Sequence, residues 1–124
     1  MKINIKATGI ELTPAITTYT EEKLSSLERF LDQNDESQLA RVEIGKTTAH
    51  HKHGEVFRAE IKLHTAGQDY YAEAHESDLY AAVDKLKDEI TAEVKSRRDR
   101  QSTLLRRGGR RIKNMLRSIN PWKK

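Results

Sequence analysis

"EVFRAEIKLHTAGQDYYAEAH", residues 55–75, consists of two alternating runs joined by a turn that contains glycine. In the first run Phe57, Ala59, Ile61 and Leu63 alternate with Arg58, Glu60, Lys62 and His64. In the second, Tyr70, Ala72 and Ala74 alternate with Tyr71, Glu73 and His75. Neighbouring side chains on a strand point to opposite faces, so a period of two predicts two strands with one apolar and one wet face. The connection "TAGQ" is short and carries Gly67, which predicts an antiparallel hairpin.

The same pattern extends upstream. "ARVEIGKT" (40–47) alternates Val42 and Ile44 with Arg41 and Glu43, a further strand joined through "AHHKHG" (49–54). A polar loop, "DQNDESQ" (32–38), precedes it. Before the loop, Ile16, Tyr19, Leu24, Leu27, Phe30 and Leu31 recur at helical spacing, with Thr13 as N-cap and Pro14 in the first turn, where its missing N–H costs nothing. "KINIKA" (2–7) alternates again and predicts the first strand. Downstream, Leu79, Val83, Leu86, Ile90 and Val94 form the core stripe of a second helix that Ser77 can cap. The predicted order is β-α-β-β-β-α. The fold class is α+β, a four-stranded sheet with two helices on one face, followed by a basic C-terminal tail.

That tail is set apart by charge. Residues 1–93 hold 11 Lys and Arg against 18 Asp and Glu, whereas residues 94–124 hold 12 against the single Asp99, so the chain's net charge of +4 conceals an acidic body and a cationic end. Such a segment repels itself until something neutralises it. Eight of its twelve cations are arginines, whose planar fork bonds phosphate oxygens in pairs, so a nucleic acid is the expected partner. No residue from Lys95 to Thr103 is apolar, so the helix is expected to continue past the body with solvent all round. Gly108-Gly109 is expected to break it, and Ile112, Met115, Leu116 and Ile119 to form a short amphipathic turn beyond. An apolar face that short argues against a membrane partner.

Other chemistry is hard to build from this chain. It has no cysteine, Gly-rich phosphate loop, serine elbow or pairing of acids typical of catalysis, so no enzyme and no cofactor or small-molecule substrate are expected. The cysteine-free composition fits a cytoplasmic location, and "MKINIKATGI" is not a secretory signal. His50, His51 and His53 fall in one turn without a fourth ligand, so a metal is not expected there, and an RNA phosphate is the better partner. Alternation places Tyr70 inward and Tyr71 on the open face, where it could stack on a base. Trp122, the one tryptophan, is a frayed end or a stacking residue.

Three stretches carry a family resemblance: "ELTPAI" (11–16), Lys23 followed by "LSSLERF" (24–30), and "SDLYAAVD" (77–84). Together they resemble the ribosome hibernation-promoting factors, also called ribosome-associated translation inhibitors or ribosomal subunit interface proteins, over residues 1–101. The resemblance implies a domain laid out like a double-stranded RNA-binding domain, with 102–124 left as a basic tail, partly helical or disordered. It implies binding to the small ribosomal subunit and its rRNA, in the channel used by mRNA and tRNA, so that idle ribosomes stay inactive and protected under stress or in stationary phase. Carried over by position, the RNA-facing residues are Lys23, Lys85, Lys87, Lys95, Arg97, Arg98 and Arg100. To these the charge of the tail adds Arg106, Arg107, Arg110, Arg111 and Lys113. Long forms of the family add a second, dimerising domain, which is not expected here. The alternative is a general RNA-binding or anionic-surface-binding protein without ribosomal specificity.

Overall fold

A computed structural model of the chain describes residues 1–47 and 56–119, with side chains described through residue 100. The elements are β1 (Lys2–Thr8), α1 (Pro14–Ser25), a 3-10 turn (Ser26–Phe30), β2 (Leu39–Lys46), β3 (Phe57–Thr65), β4 (Gln68–Glu76) and α2 (Leu79–Ile119). The four strands form one sheet in the order β1-β2-β3-β4. The β2–β3 and β3–β4 pairs are antiparallel. β1 pairs with β2 in parallel, and α1 lies in the crossover that a parallel pair requires.

Register places most of the apolar strand side chains on one face. Ile5 lies opposite Val42, Val42 opposite Ile61, and Ile61 opposite Ala72. Leu24 of α1, Leu27 of the 3-10 turn, and Leu79, Val83, Leu86, Ile90 and Val94 of α2 join Val42, Ile61 and Ala72 in a single buried cluster, with Ile5 packed against it. The sheet is therefore mixed, with both helices against its apolar face, as the alternation and the two helical stripes predict. The chain divides into two compact units, Met1–Val94 and Lys95–Lys124.

Three local readings need correction. The first helix was expected to reach Leu31. It ends at Ser25, because the Ser25 and Ser26 hydroxyls donate back to the carbonyls of Glu22 and Lys23 (2.9 and 2.7 Å), and the chain tightens into the 3-10 turn. The cap of α2 is Asp78 rather than Ser77: its Oδ2 accepts from the Ala81 N–H at 2.9 Å. Gly108-Gly109 does not end α2, which stays helical to Ile119. A helical glycine costs only about 1 kcal/mol relative to alanine, and the leucines, arginines and lysine around the pair are good helix formers.

Two tight passages hold the sheet to its register. A Cβ on Gly45 would lie 2.4 Å from the carbonyl oxygen of Thr8, so only glycine lets β1 approach β2 at that point. Between β3 and β4, Ala66 (φ 50°) and Gly67 (φ 71°) make the left-handed pair of a hairpin turn. Asp35, in the loop before β2, braces this turn by accepting from the Ala66 N–H at 2.6 Å and from the Ser37 N–H and hydroxyl. These bonds, first that from the Ser37 hydroxyl, hold the Asp35 carboxyl down at about 2. A carboxyl depressed in the folded state stabilises it above the unfolded value near 4, and that contribution disappears as pH falls toward 2. Asp35→Asn is expected to lower stability at pH 7 and to flatten the loss between pH 4 and 2, read by urea unfolding across that range.

One buried polar atom lacks a partner among the described residues: the Thr20 hydroxyl, fully buried on α1. An unsatisfied buried hydroxyl costs about 1–3 kcal/mol, and valine keeps the shape without it. Thr20→Val is expected to raise stability by about 1 kcal/mol, measured by thermal unfolding.

Candidate nucleic-acid interface

The residues expected to face RNA fall into two groups. Lys23 lies on α1, and its ammonium sits 3.4 Å from Oδ1 of Asp84 on α2. The same oxygen accepts from the Tyr19 hydroxyl at 2.5 Å. Tyr19 in turn meets Tyr80 edge to face at 4.8 Å, and Lys23 lies over the Tyr19 ring at 5.5 Å. Helical spacing builds this seam: Tyr19 and Lys23 are four apart on α1, and Tyr80 and Asp84 four apart on α2, so each pair shares a face. Asp84, by hydrogen bond and by charge, raises the pKa of Lys23 and keeps it a cation. Its hydrogen bond also pushes the Tyr19 hydroxyl up.

Lys87, three residues beyond Asp84, shares that flank of α2 and pairs with Asp88 at 3.6 Å. Lys85 lies on the other flank and pairs with Glu76 at the end of β4, 3.6 Å away. The structure therefore brings Lys23 and Lys87 to one side and leaves Lys85 apart. Each of the three stands within 4 Å of a carboxylate.

Beyond Val94 the setting changes. Lys95, Arg98 and Arg100 are exposed and Arg97 is half-buried, with Asp99 the only acid among them. Lys95 and Arg98, three apart, share one face of α2, as do Arg97 and Arg100. Further along the helix, Arg106, Arg110 and Lys113 recur at intervals of four and three, and Arg107 and Arg111 at four. The histidine turn (His50, His51 and His53) and Trp122 lie outside the described residues.

Sequence reasoning missed Tyr80 and Asp84. Tyr80 is the neighbour of core Leu79 and 39% exposed, yet a single aromatic beside a core stripe carries no signal of its own. Asp84 reads as one solvated acid among many until the fold sets it against Lys23. Among the described residues no group of three His, Cys, Asp or Glu is placed to hold a metal ion, and no helix is long and apolar enough to cross a membrane.

Comparison with known proteins gives these features a context. The family described as "Sigma 54 modulation protein / S30EA ribosomal protein" matches residues 3–102. The chain is 31% identical to a ribosome hibernation promoting factor of Azotobacter vinelandii over 101 residues, 82% of this chain and 86% of that protein. It is 29% identical to one from Klebsiella oxytoca over 100 residues, 81% and 96% of the two chains. Among solved structures it resembles the N-terminal domain of Thermus thermophilus Protein Y, with a TM-score of 0.65 and 32% identity over 77% of this chain and 98% of that one. A ribosomal subunit interface protein of Coxiella burnetii shares the fold, with a TM-score of 0.62 and 18% identity over 80% of this chain and 99% of that one.

Proposed function

Because the chain belongs to the Sigma 54 modulation protein / S30EA ribosomal protein family, we propose that it acts as a non-enzymatic plug of the small ribosomal subunit. It occupies the channel shared by mRNA and tRNA and keeps idle cytoplasmic ribosomes inactive and protected under stress or in stationary phase. The relatives named ribosome hibernation promoting factors support the hibernation role. No chemistry is required, since a bound body and a tRNA cannot share one volume.

The observation that carries the RNA reading is the division of charge. The body lysines Lys23, Lys85 and Lys87 each have a carboxylate partner, while residues 94–124 carry 12 cations and one acid. The body supplies shape and the arm supplies attraction through Lys95, Arg97, Arg98, Arg100, Arg106, Arg107, Arg110, Arg111 and Lys113. Contacts to phosphate release counterions and carry no base sequence, so binding follows the architecture of folded RNA.

Sedimentation with purified 30S subunits tests this reading. The protein is expected to travel with vacant 30S particles, to exclude tRNA from them, and to resist a large excess of duplex DNA. Release by the DNA would identify a general polyanion binder instead, and binding alongside tRNA would end the occlusion reading. Within the seam, Asp84→Asn frees Lys23 from its ion pair and is expected to raise 30S affinity severalfold at low salt, measured by filter binding. Lys23→Ala in that background is expected to cancel the gain.

A further inference from the structure

The open face of the sheet plays no part in the function proposed above, yet three concavities line it. The largest, about 560 Å³, includes Ser37, Leu39, Arg41, Lys62, His64 and Tyr71 in its lining. It shares Arg41 and Lys62 with a second, which shares Glu43 with the third. A volume of this size suits a small ligand with one charged end and one flat end.

Register sets the chemistry. Arg41 of β2 lies opposite Lys62 of β3, and Lys62 lies opposite Tyr71 of β4, so two cations and an aromatic ring form one row across three strands. At a strand spacing of about 4.8 Å the backbone positions of Arg41 and Tyr71 lie about 10 Å apart across the row. Both cations are exposed, and neither has an ion-pair or hydrogen-bond partner among the described residues. Like charges directly opposite each other repel, and an anion seated between them removes that penalty.

The neighbouring carboxylates are already engaged. Arg58 Nη2 lies 2.7 Å from Glu60 and 2.9 Å from Glu73. The Tyr71 hydroxyl shares its one proton between the same two carboxylates, 2.8 Å from Glu60 and 2.5 Å from Glu73. Glu43 accepts from Thr8 at 2.7 Å. This shared bond at its tip holds the Tyr71 ring in place, while 49% of the residue stays exposed. A ring held this way offers a preformed stacking surface at little entropic cost.

We propose that this row is a single-nucleotide site, in which Arg41 and Lys62 take the phosphate and Tyr71 stacks the base. The guanidinium can bond two phosphate oxygens, and the ammonium adds a point charge. The carboxylate row of Glu43, Glu60 and Glu73 alongside repels a second phosphate in that direction, which limits occupancy to one unit. The nucleotide can be a free mononucleotide or one residue of a single-stranded RNA.

The test uses the full chain without ribosomes, so its outcome is independent of the 30S reading. AMP, inorganic phosphate and a six-residue single-stranded RNA are titrated in turn at physiological salt while the amide signals of residues 41, 62 and 71 are followed by NMR. AMP is expected to shift them saturably and to bind more tightly than phosphate. Arg41→Ala with Lys62→Ala is expected to weaken AMP binding at least about tenfold. Tyr71→Phe is expected to retain the preference for AMP over phosphate, and Tyr71→Leu to lose it. RNA shifting the same amides at lower concentration than AMP identifies a chain as the source, and AMP binding at least as tightly as RNA identifies a free nucleotide. The proposal is overturned if AMP gives no saturable shift by about 10 mM, if the double variant binds AMP undiminished, or if AMP and phosphate bind alike.

Discussion

Removing residues 95–124 is expected to leave a folded body that no longer holds the 30S subunit at moderate salt. The expectation has two independent parts. The core cluster ends at Val94, and Met1–Val94 is a compact unit by itself, so the cooperativity of unfolding should survive the cut, while the far-ultraviolet helix signal falls by the share of α2 that is removed. The binding should not. Without the arm, what remains is an acidic body whose candidate lysines are each paired to a carboxylate. If the arm makes six to ten phosphate contacts, the intact chain should lose about a thousandfold or more in affinity between 50 and 200 mM salt. The truncated body should show a far shallower log–log slope. A truncated protein that still sediments with 30S particles at moderate salt would place the anchor in the body.

Leu86→Ala should do the opposite, damaging the body and sparing the arm. Leu86 is fully buried at the centre of the α2 stripe, against the apolar face of the sheet. Truncation to alanine removes the burial of three carbons and leaves a void, at a cost of about 2–5 kcal/mol. For a domain whose whole stability is on the order of 5–15 kcal/mol, that is a large share. The melting temperature should fall by about 10–30 °C, read by circular dichroism, while Leu86→Met should cost less than about 1.5 kcal/mol. Well below the new midpoint, the salt slope of RNA binding should equal that of the parent chain, because the cations beyond Val94 are untouched. A variant that melts with its parent would show that the α2 stripe is not what closes the core.

The strands were legible because burial alternates with the pleat: Ile61 and Lys62 are told apart by position alone. The β3–β4 hairpin was legible from Gly67, although the brace from Asp35 to Ala66 was not, since it joins two loops that only the fold brings together. Partner choice for β1 was also hidden. "KINIKA" declares a strand and an apolar face, but nothing in it says that its neighbour is β2 or that the pairing is parallel. The Gly108-Gly109 misreading has a simple cause: two glycines were weighed without the strong helix formers on both sides. The candidate interface was harder to read than the fold. Charge density identified the arm, because a run of like charges is a property of the sequence alone. Whether a lysine is free or paired depends on neighbours distant in the chain, as with Lys23 and Asp84. The sheet-face row was hidden for the same reason, since Arg41, Lys62 and Tyr71 meet only through register.

The placement of α2 has a consequence for the order of events during synthesis. The apolar face of the sheet is covered only in part, by α1 and the 3-10 turn, until Leu79–Val94 has been made, so the nascent chain passes most of its synthesis with a greasy surface and an excess of negative charge. The cationic segment follows Met1–Val94, so it emerges after everything needed for closure is present. On the proposed reading, maturation thus precedes capture: the arm meant to grip RNA is made only once the body can already close.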